Sequence, residues 1–165
     1  MDNAEFAKKV FSNAVDLMNK VRITAEYRAK QEITKEWVYG YFAPMPFLEG
    51  QNIVRQISPA IITLDIDCWE FSPVDPETVG RYTGLTDYNG KRIFEGDIVK
   101  IHIGNIIKYG AVFYGERAAR IGIRDNAGEA NFSYMQQPLI REYRIVVIGN
   151  IYDTPELLKE REVIK

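Results

Sequence analysis

The chain has a single cysteine, Cys68, and a single histidine, His102, in 165 residues. One cysteine excludes an internal disulfide framework and a thiolate zinc site, and it suits a reducing compartment. One histidine leaves any triad or imidazole-based metal centre with one ring to work with. Neither sign of charge is in excess. There are 21 basic side chains against 23 acidic ones, a formal net charge of −2, which excludes a basic nucleic-acid coat and an acidic solubilising tail. No apolar run approaches the roughly 20 residues that a membrane-spanning helix needs. The first residues mix Asp2 and Glu5 with Lys8 and Lys9 rather than presenting a compact apolar core, so no secretory leader and a cytoplasmic location are expected.

What is present is a chain that is 46% hydrophobic and 27% charged, long enough for one domain or two small ones with a sizeable core. Its first segment has helical periodicity. Residues placed 100° apart put Phe6, Ala7, Val10, Phe11, Ala14, Leu17, Met18 and Val21 on one side, with Lys8, Lys9, Ser12, Asn13, Asp16, Asn19 and Lys20 opposite. Asp2 or Asn3 is suited to cap this helix, and Lys20 to sit at its negative end. The apolar stripe covers nearly half the cylinder and requires a broad cover. That cover is either the chain's own sheet or a second copy, since Ala7, Phe11, Ala14, Met18 and Val21 follow a 4-3-4-3 spacing. Phe11, Ala14 and Met18 are the candidate self-association residues.

After Arg22 the period becomes two. Trp37–Phe42, Ile61–Ile66, Asp97–Ile103, Tyr109–Tyr114, Arg120–Arg124, Asn131–Met135 and Tyr143–Ile148 read as strands. Turns fall at Asp87-Tyr88-Asn89-Gly90, at Glu95-Gly96-Asp97 and at Asp125-Asn126-Ala127-Gly128. Asp153-Thr154-Pro155-Glu156 opens a short terminal helix, with proline in the first turn. The two prolines of Ser72-Pro73-Val74-Asp75-Pro76 mark a boundary. Charge divides there as well: residues 1–80 carry 8 basic and 12 acidic side chains, residues 81–165 carry 13 and 11. The expected class is α+β, mainly β. Residues 1–21 form a helical extension, residues 22–79 a β-rich lobe, and residues 80–165 a small β unit ending in a short helix.

The run from Val79 to Lys100, VGRYTGLTDYNGKRIFEGDIVK, resembles the signature of the YopX family of phage and prophage proteins. Glu36-Trp37-Val38-Tyr39-Gly40-Tyr41 looks like the family's early strand. Val147–Leu158, with Gly149-Asn150-Ile151-Tyr152-Asp153-Thr154-Pro155 at its centre, looks like its closing strand and helix. The resemblance implies a C-terminal barrel of the SH3-like type and a bacterial host, and it implies no activity and no catalytic or binding residues. Family members begin close to the first strand, whereas here the amphipathic segment precedes it. Read physically, the signature is architectural. Gly84, Gly90 and Gly96 stand where turns need positive φ, Asp87 and Asp97 are placed to accept local backbone N–H groups, and Val99, Ile101 and Ile103 alternate inward.

Candidate chemistry is sparse. His102 alternates with Ile101 and Ile103 and reads as an ordinary strand residue. Cys68 shares a face with Leu64 and Ile66 and reads as a buried, inert thiol. Asp65, Asp67 and Glu70 lie in a tract, Ile61 to Gly80, with no basic residue. Asp65 and Asp67 point the same way and could serve a hard cation, although two carboxylates are too few for a tight site, and a solvated face that discourages edge pairing explains them as well. Arg117, Arg120 and Arg124, among strands bearing Tyr109, Tyr114, Phe132 and Tyr134, are the candidate nucleic-acid contacts. The expected function is a non-enzymatic accessory protein that acts by binding or assembly, with no cofactor or metal. Its partner would be a second copy or another protein. A nucleic-acid-binding barrel is the alternative, and a metal-dependent enzyme built on Asp65, Asp67 and Glu70 is a third reading.

Overall fold

A computed structural model of the protein describes residues 26–49, 52–64, 69–115, 120–124, 130–132 and 135–159. The N-terminal helix expected over 1–21, and with it Phe11, Ala14 and Met18, lies outside the described residues, as do Asp65, Asp67, Cys68, Arg117 and the turn at 125–128. The described chain is mainly β. It comprises β1 (Tyr27–Lys30), β2 (Trp37–Glu49), β3 (Asn52–Leu64), β4 (Trp69–Pro73), a 3-10 turn η1 (Pro76–Thr78), β5 (Gly80–Thr86) and β6 (Arg92–Phe94). There follow β7 (Asp97–Ile103), β8 (Ile106–Gly115), β9 (Arg120–Arg124), β10 (Ala130–Phe132), the helix α1 (Gln137–Glu142), β11 (Val146–Asn150) and a second 3-10 turn η2 (Pro155–Lys159).

The strands form two antiparallel sheets, β4-β3-β2-β1-β5-β6 and β10-β9-β8-β7-β11. The first sheet takes in strands from both sides of residue 80, because β1 pairs with β5 through Tyr27↔Arg81 and Arg28↔Gly80. In the second sheet β7, β8 and β9 are neighbours in sequence and in space, joined by register pairs such as Val99↔Gly110 and Val112↔Ile123. Gly84, Gly90 and Gly96 have φ of +77°, +86° and +78°; Gly90 and Gly96 stand in turns, whereas Gly84 lies inside β5, where the β5–β6 register shifts between Tyr82 and Thr86.

The sequence pattern locates β7 and β9 to the residue and departs from the structure elsewhere. β1 is four residues long with Arg28 and Lys30 on one face, a pattern without an aliphatic stripe. β2 and β3 run 13 residues each, through Pro44, Pro46 and Pro59, residues that normally interrupt a strand. The expected strand over Tyr143–Ile148 begins only at Val146, because Tyr143 and Arg144 form the turn that leaves α1, Arg144 at φ 42°. The expected terminal helix is a single 3-10 segment, η2.

The larger core lies under the second sheet. Val99 and Ile101 of β7, Val112 of β8, Ile123 of β9 and Val147 of β11 meet Met135, Ile140 of α1 and Ile145, and Ile93 of β6 joins them. A smaller core under the first sheet gathers Ala29, Ile61 and Val74, flanked by Tyr27, Val38 and Val79.

Candidate functional site

The two sheets meet where β1, β2 and the β6–β7 turn face the end of β11. Arg28 of β1 is 5% exposed and Asp97, the first residue of β7, is 1% exposed. Arg28 Nη2 lies 2.6 Å from Asp97 Oδ1 and donates to the Glu95 carbonyl at 3.2 Å. Its guanidinium stacks 4.7 Å from the Trp37 ring and 5.1 Å from the Phe94 ring. Such cation–π contacts gain strength where water is excluded. The other carboxylate oxygen of Asp97, Oδ2, accepts the Phe94 N–H at 2.8 Å, which closes the Glu95-Gly96 turn. Burial pushes the Asp97 carboxyl above its ordinary value, and the Arg28 charge and the Phe94 N–H hold it down in part.

A second carboxylate completes the junction from the far end of the chain. Asp153 Oδ2 accepts from Trp37 Nε1 at 2.7 Å and from Asn150 Nδ2 at 2.8 Å, while Oδ1 pairs with Lys30 Nζ. Hydrogen bonds from Lys30, Asn150 and Trp37 lower this carboxyl to about 2. Next to it Tyr152 stacks on Trp37 at 5.8 Å and donates its hydroxyl to the Glu77 carbonyl at 2.8 Å, and burial raises the phenol above its usual value. The three runs that carry the family resemblance therefore converge here: Trp37 from the first, Phe94 to Asp97 from the second, Asn150 to Asp153 from the third.

Asp87 does similar work at the β5–β6 turn. It is 3% exposed, and its Oδ1 accepts from the N–H groups of Asn89 and Lys91, each at 2.8 Å. Its Oδ2 reaches the Val147 N–H of β11 at 3.0 Å. The local role expected of Asp87 and Asp97 is what both perform, and each adds a long-range tie between the sheets. No local pattern could reveal those ties, since Arg28 and Trp37 find their partners 69 and 116 residues away.

The basic cluster lies on the opposite side of the core. In an antiparallel pair, opposed residues share a face. The pairs Lys100↔Tyr109 and His102↔Ile107, with Ala111↔Arg124, Phe113↔Gly122 and Gly115↔Arg120, therefore define the outer face of the second sheet. Arg120 and Arg124 are exposed, and Arg124 lies over the Phe113 ring at 4.4 Å. Tyr114, paired with Ile121, belongs to the other face, where Arg81 stacks on it at 4.5 Å. His102 is half-buried on the outer face. Glu70 is exposed on β4. Among the described residues no group of three or more His, Cys, Asp or Glu side chains is placed to hold a metal ion, and no helix is long and apolar enough to cross a membrane.

The sequence profile of the family described as YopX protein matches residues 26–159. No curated protein matches the chain. Among solved structures it is similar to the crystal structure of protein EF1440 from Enterococcus faecalis, at 22% sequence identity and a TM-score of 0.49, over 81% of this chain and 97% of that one.

Proposed function

The chain belongs to the YopX protein family, and on that premise we propose that it is a phage- or prophage-associated accessory protein of the bacterial cytoplasm that acts by binding, not by catalysis. One observation carries this reading: the charged groups that the fold draws together are consumed in joining it. Both oxygens of Asp87, Asp97 and Asp153 are engaged by backbone or side-chain donors, so each acts as a fixed acceptor. What supports an SH3-like barrel in the C-terminal part is its set of short antiparallel strands, tightly connected from β7 to β9 and wrapped on one aliphatic core. The partner is a second copy or another protein. The full-length chain, tagged and recovered from a lysogenic host, should carry a protein in stoichiometric amount that survives nuclease treatment, or should itself have oligomeric mass by light scattering. Recovery of a bare monomer would contradict the proposal.

A second reading, nucleic-acid binding, is favoured by the stack of Arg124 on Phe113 beside exposed Arg120 and half-buried Tyr109. Such a face offers cations to phosphates and rings to bases. It predicts binding of single-stranded DNA or RNA at roughly 20–50 mM salt that weakens steeply as salt rises. Loss of binding in Arg120→Ala with Arg124→Ala would locate it, and no binding at low salt would remove it.

A further inference from the structure

We propose, on the reading that the chain acts by binding protein, that the outer face of its second sheet receives the acidic β4–η1 edge of a second copy. Lys100 and His102 of β7, Tyr109 and Phe113 of β8, and Arg120 and Arg124 of β9 share that face. Asp97 is the only carboxylate in these three strands. It falls in step with Val99 and Ile101, on the core side, and is buried. The outer face therefore carries cations on β7 and on β9, two strand spacings or about 10 Å apart, with two rings between them and no acid among these strands to offset them. Arg124 lies over the Phe113 ring at 4.4 Å, and a stacked guanidinium still offers its N–H edge to a carboxylate.

Such a face attracts any polyanion, and the rest of the chain selects the occupant. Glu70 of β4, Glu77 of η1, and Glu32 and Glu36 of the β1–β2 turn are all exposed. The turn is tied to β4: the Glu32 N–H donates to the Pro73 carbonyl at 2.9 Å, and Gln31 bridges to Val74. No basic residue lies between Ile61 and Gly80. Lys35 is exposed on the same turn, while the Lys30 ammonium is engaged by Asp153. β4 is the edge of the first sheet opposite β6, and β6 is the strand whose Ile93 enters the larger core. The outer face turns away from that core, so the acidic edge meets the face of another copy and not its own. Opposite charges on two different patches of one chain make a head-to-tail contact. A phosphate backbone would be drawn to the face and repelled by the edge; a second copy satisfies both, and the complementarity steers and orients the encounter.

The test is sedimentation of the full-length chain and two charge reversals, Lys100→Glu with Arg124→Glu on the face and Glu70→Lys with Glu77→Lys on the edge. Wild type should associate at about 50 mM salt and dissociate towards about 500 mM, as screening shortens the reach of surface charge. Each reversal alone should weaken association about tenfold or more by setting like charges against each other. An equimolar mixture of the two should associate again, because each then presents the charge the other lacks. Arg124→Ala and Glu77→Ala, milder changes, should each weaken wild-type association about threefold, which keeps the test decisive should a reversal fail to fold. Wild type that stays monomeric at low salt, oligomers that survive both reversals, or a mixture of folded reversals that stays monomeric would each overturn the inference. A monomer that carries a different protein from the host would overturn it and leave the binding reading standing, whereas a bare monomer would overturn both. A monomer that binds single-stranded DNA at low salt would overturn it and pass the face to nucleic acid.

Discussion

The second sheet closes on nine buried apolar side chains, from Ile93 to Val147, whereas the smaller core of the first sheet holds three, Ala29, Ile61 and Val74. The first sheet makes up the difference with rings and charges: Arg28 and Lys30 over Trp37, Tyr39 and Tyr82 against Phe94, and the buried Arg28–Asp97 pair. Burial of aliphatic area is additive and tolerant of approximate geometry. A buried ion pair is neither, since each partner left alone carries its desolvation cost. The first sheet should consequently depend on its dock against the second, and the dependence should be one-sided.

The largest effect that could break this comparison comes from Arg28→Met. It leaves Asp97 buried without its cation and should cost about 3–5 kcal/mol in denaturant unfolding. Adding Asp97→Asn should recover part of that loss at neutral pH, because the uncompensated charge is then gone; a double variant that is worse than Arg28→Met would refute the electrostatic account. Core truncation comes next. Ile101→Ala and Ile61→Ala should each cost about 2–5 kcal/mol, with Ile101→Ala the more severe by about 1 kcal/mol because it opens the larger core. Equal costs would erase the distinction between the two cores.

A smaller effect is expected at Gly149, where a Cβ would fall on Thr154 Oγ1 and within 2.8 Å of Leu157 Cδ1. Gly149→Ala should cost about 1–3 kcal/mol by overpacking, read as a lower thermal midpoint, and partial recovery on adding Thr154→Ala would show that the Thr154 hydroxyl is what it strikes. The smallest effect concerns pH. Asp153 has a folded-state value lowered to about 2, so its contribution is present above the ordinary carboxylate range and is lost as pH falls through about 2. With its side chain 38% exposed, screening limits that contribution to about 1 kcal/mol or less. Wild type and Asp153→Asn should differ at pH 6 and converge as pH falls from about 4 towards 2. Convergence at high pH instead would reverse the sign and reject the assignment.

The two sheets also differ in how far the amino-acid order reveals them. β7 and β9 repeat every second residue with aliphatic side chains on the core face, and their bounds follow from that period alone. The turns at Asp87 and Gly96 are legible because aspartate and glycine act there on neighbouring backbone. β1 is hidden because its inward face carries Ala29 and its other face Arg28 and Lys30, a charged pattern whose partners, Asp97 and Asp153, are remote in sequence. The prolines of β2 disguise a strand because proline's missing donor matters only where a neighbouring strand would use it, and none is described beside Pro44 and Pro46; beside Pro59 it is the carbonyl that is used, accepting the Val74 N–H. α1 is short, and Gln137-Pro138 at its start is the one signal that could have found it. Arg120 and Arg124 share one face of β9, while Tyr114, expected near them, lies on the other face, and it is Phe113 that stacks with Arg124.

The one-sided dependence is tested most directly by residue-resolved hydrogen exchange on full-length wild type and Arg28→Met at neutral pH. The expected result is faster exchange across β1 to β4 in the variant, with the amides of β7, β8, β9 and β11 still protected. Equal loss of protection in both sheets, or none in either, would contradict the claim that the first sheet is held by its polar and aromatic dock on the second.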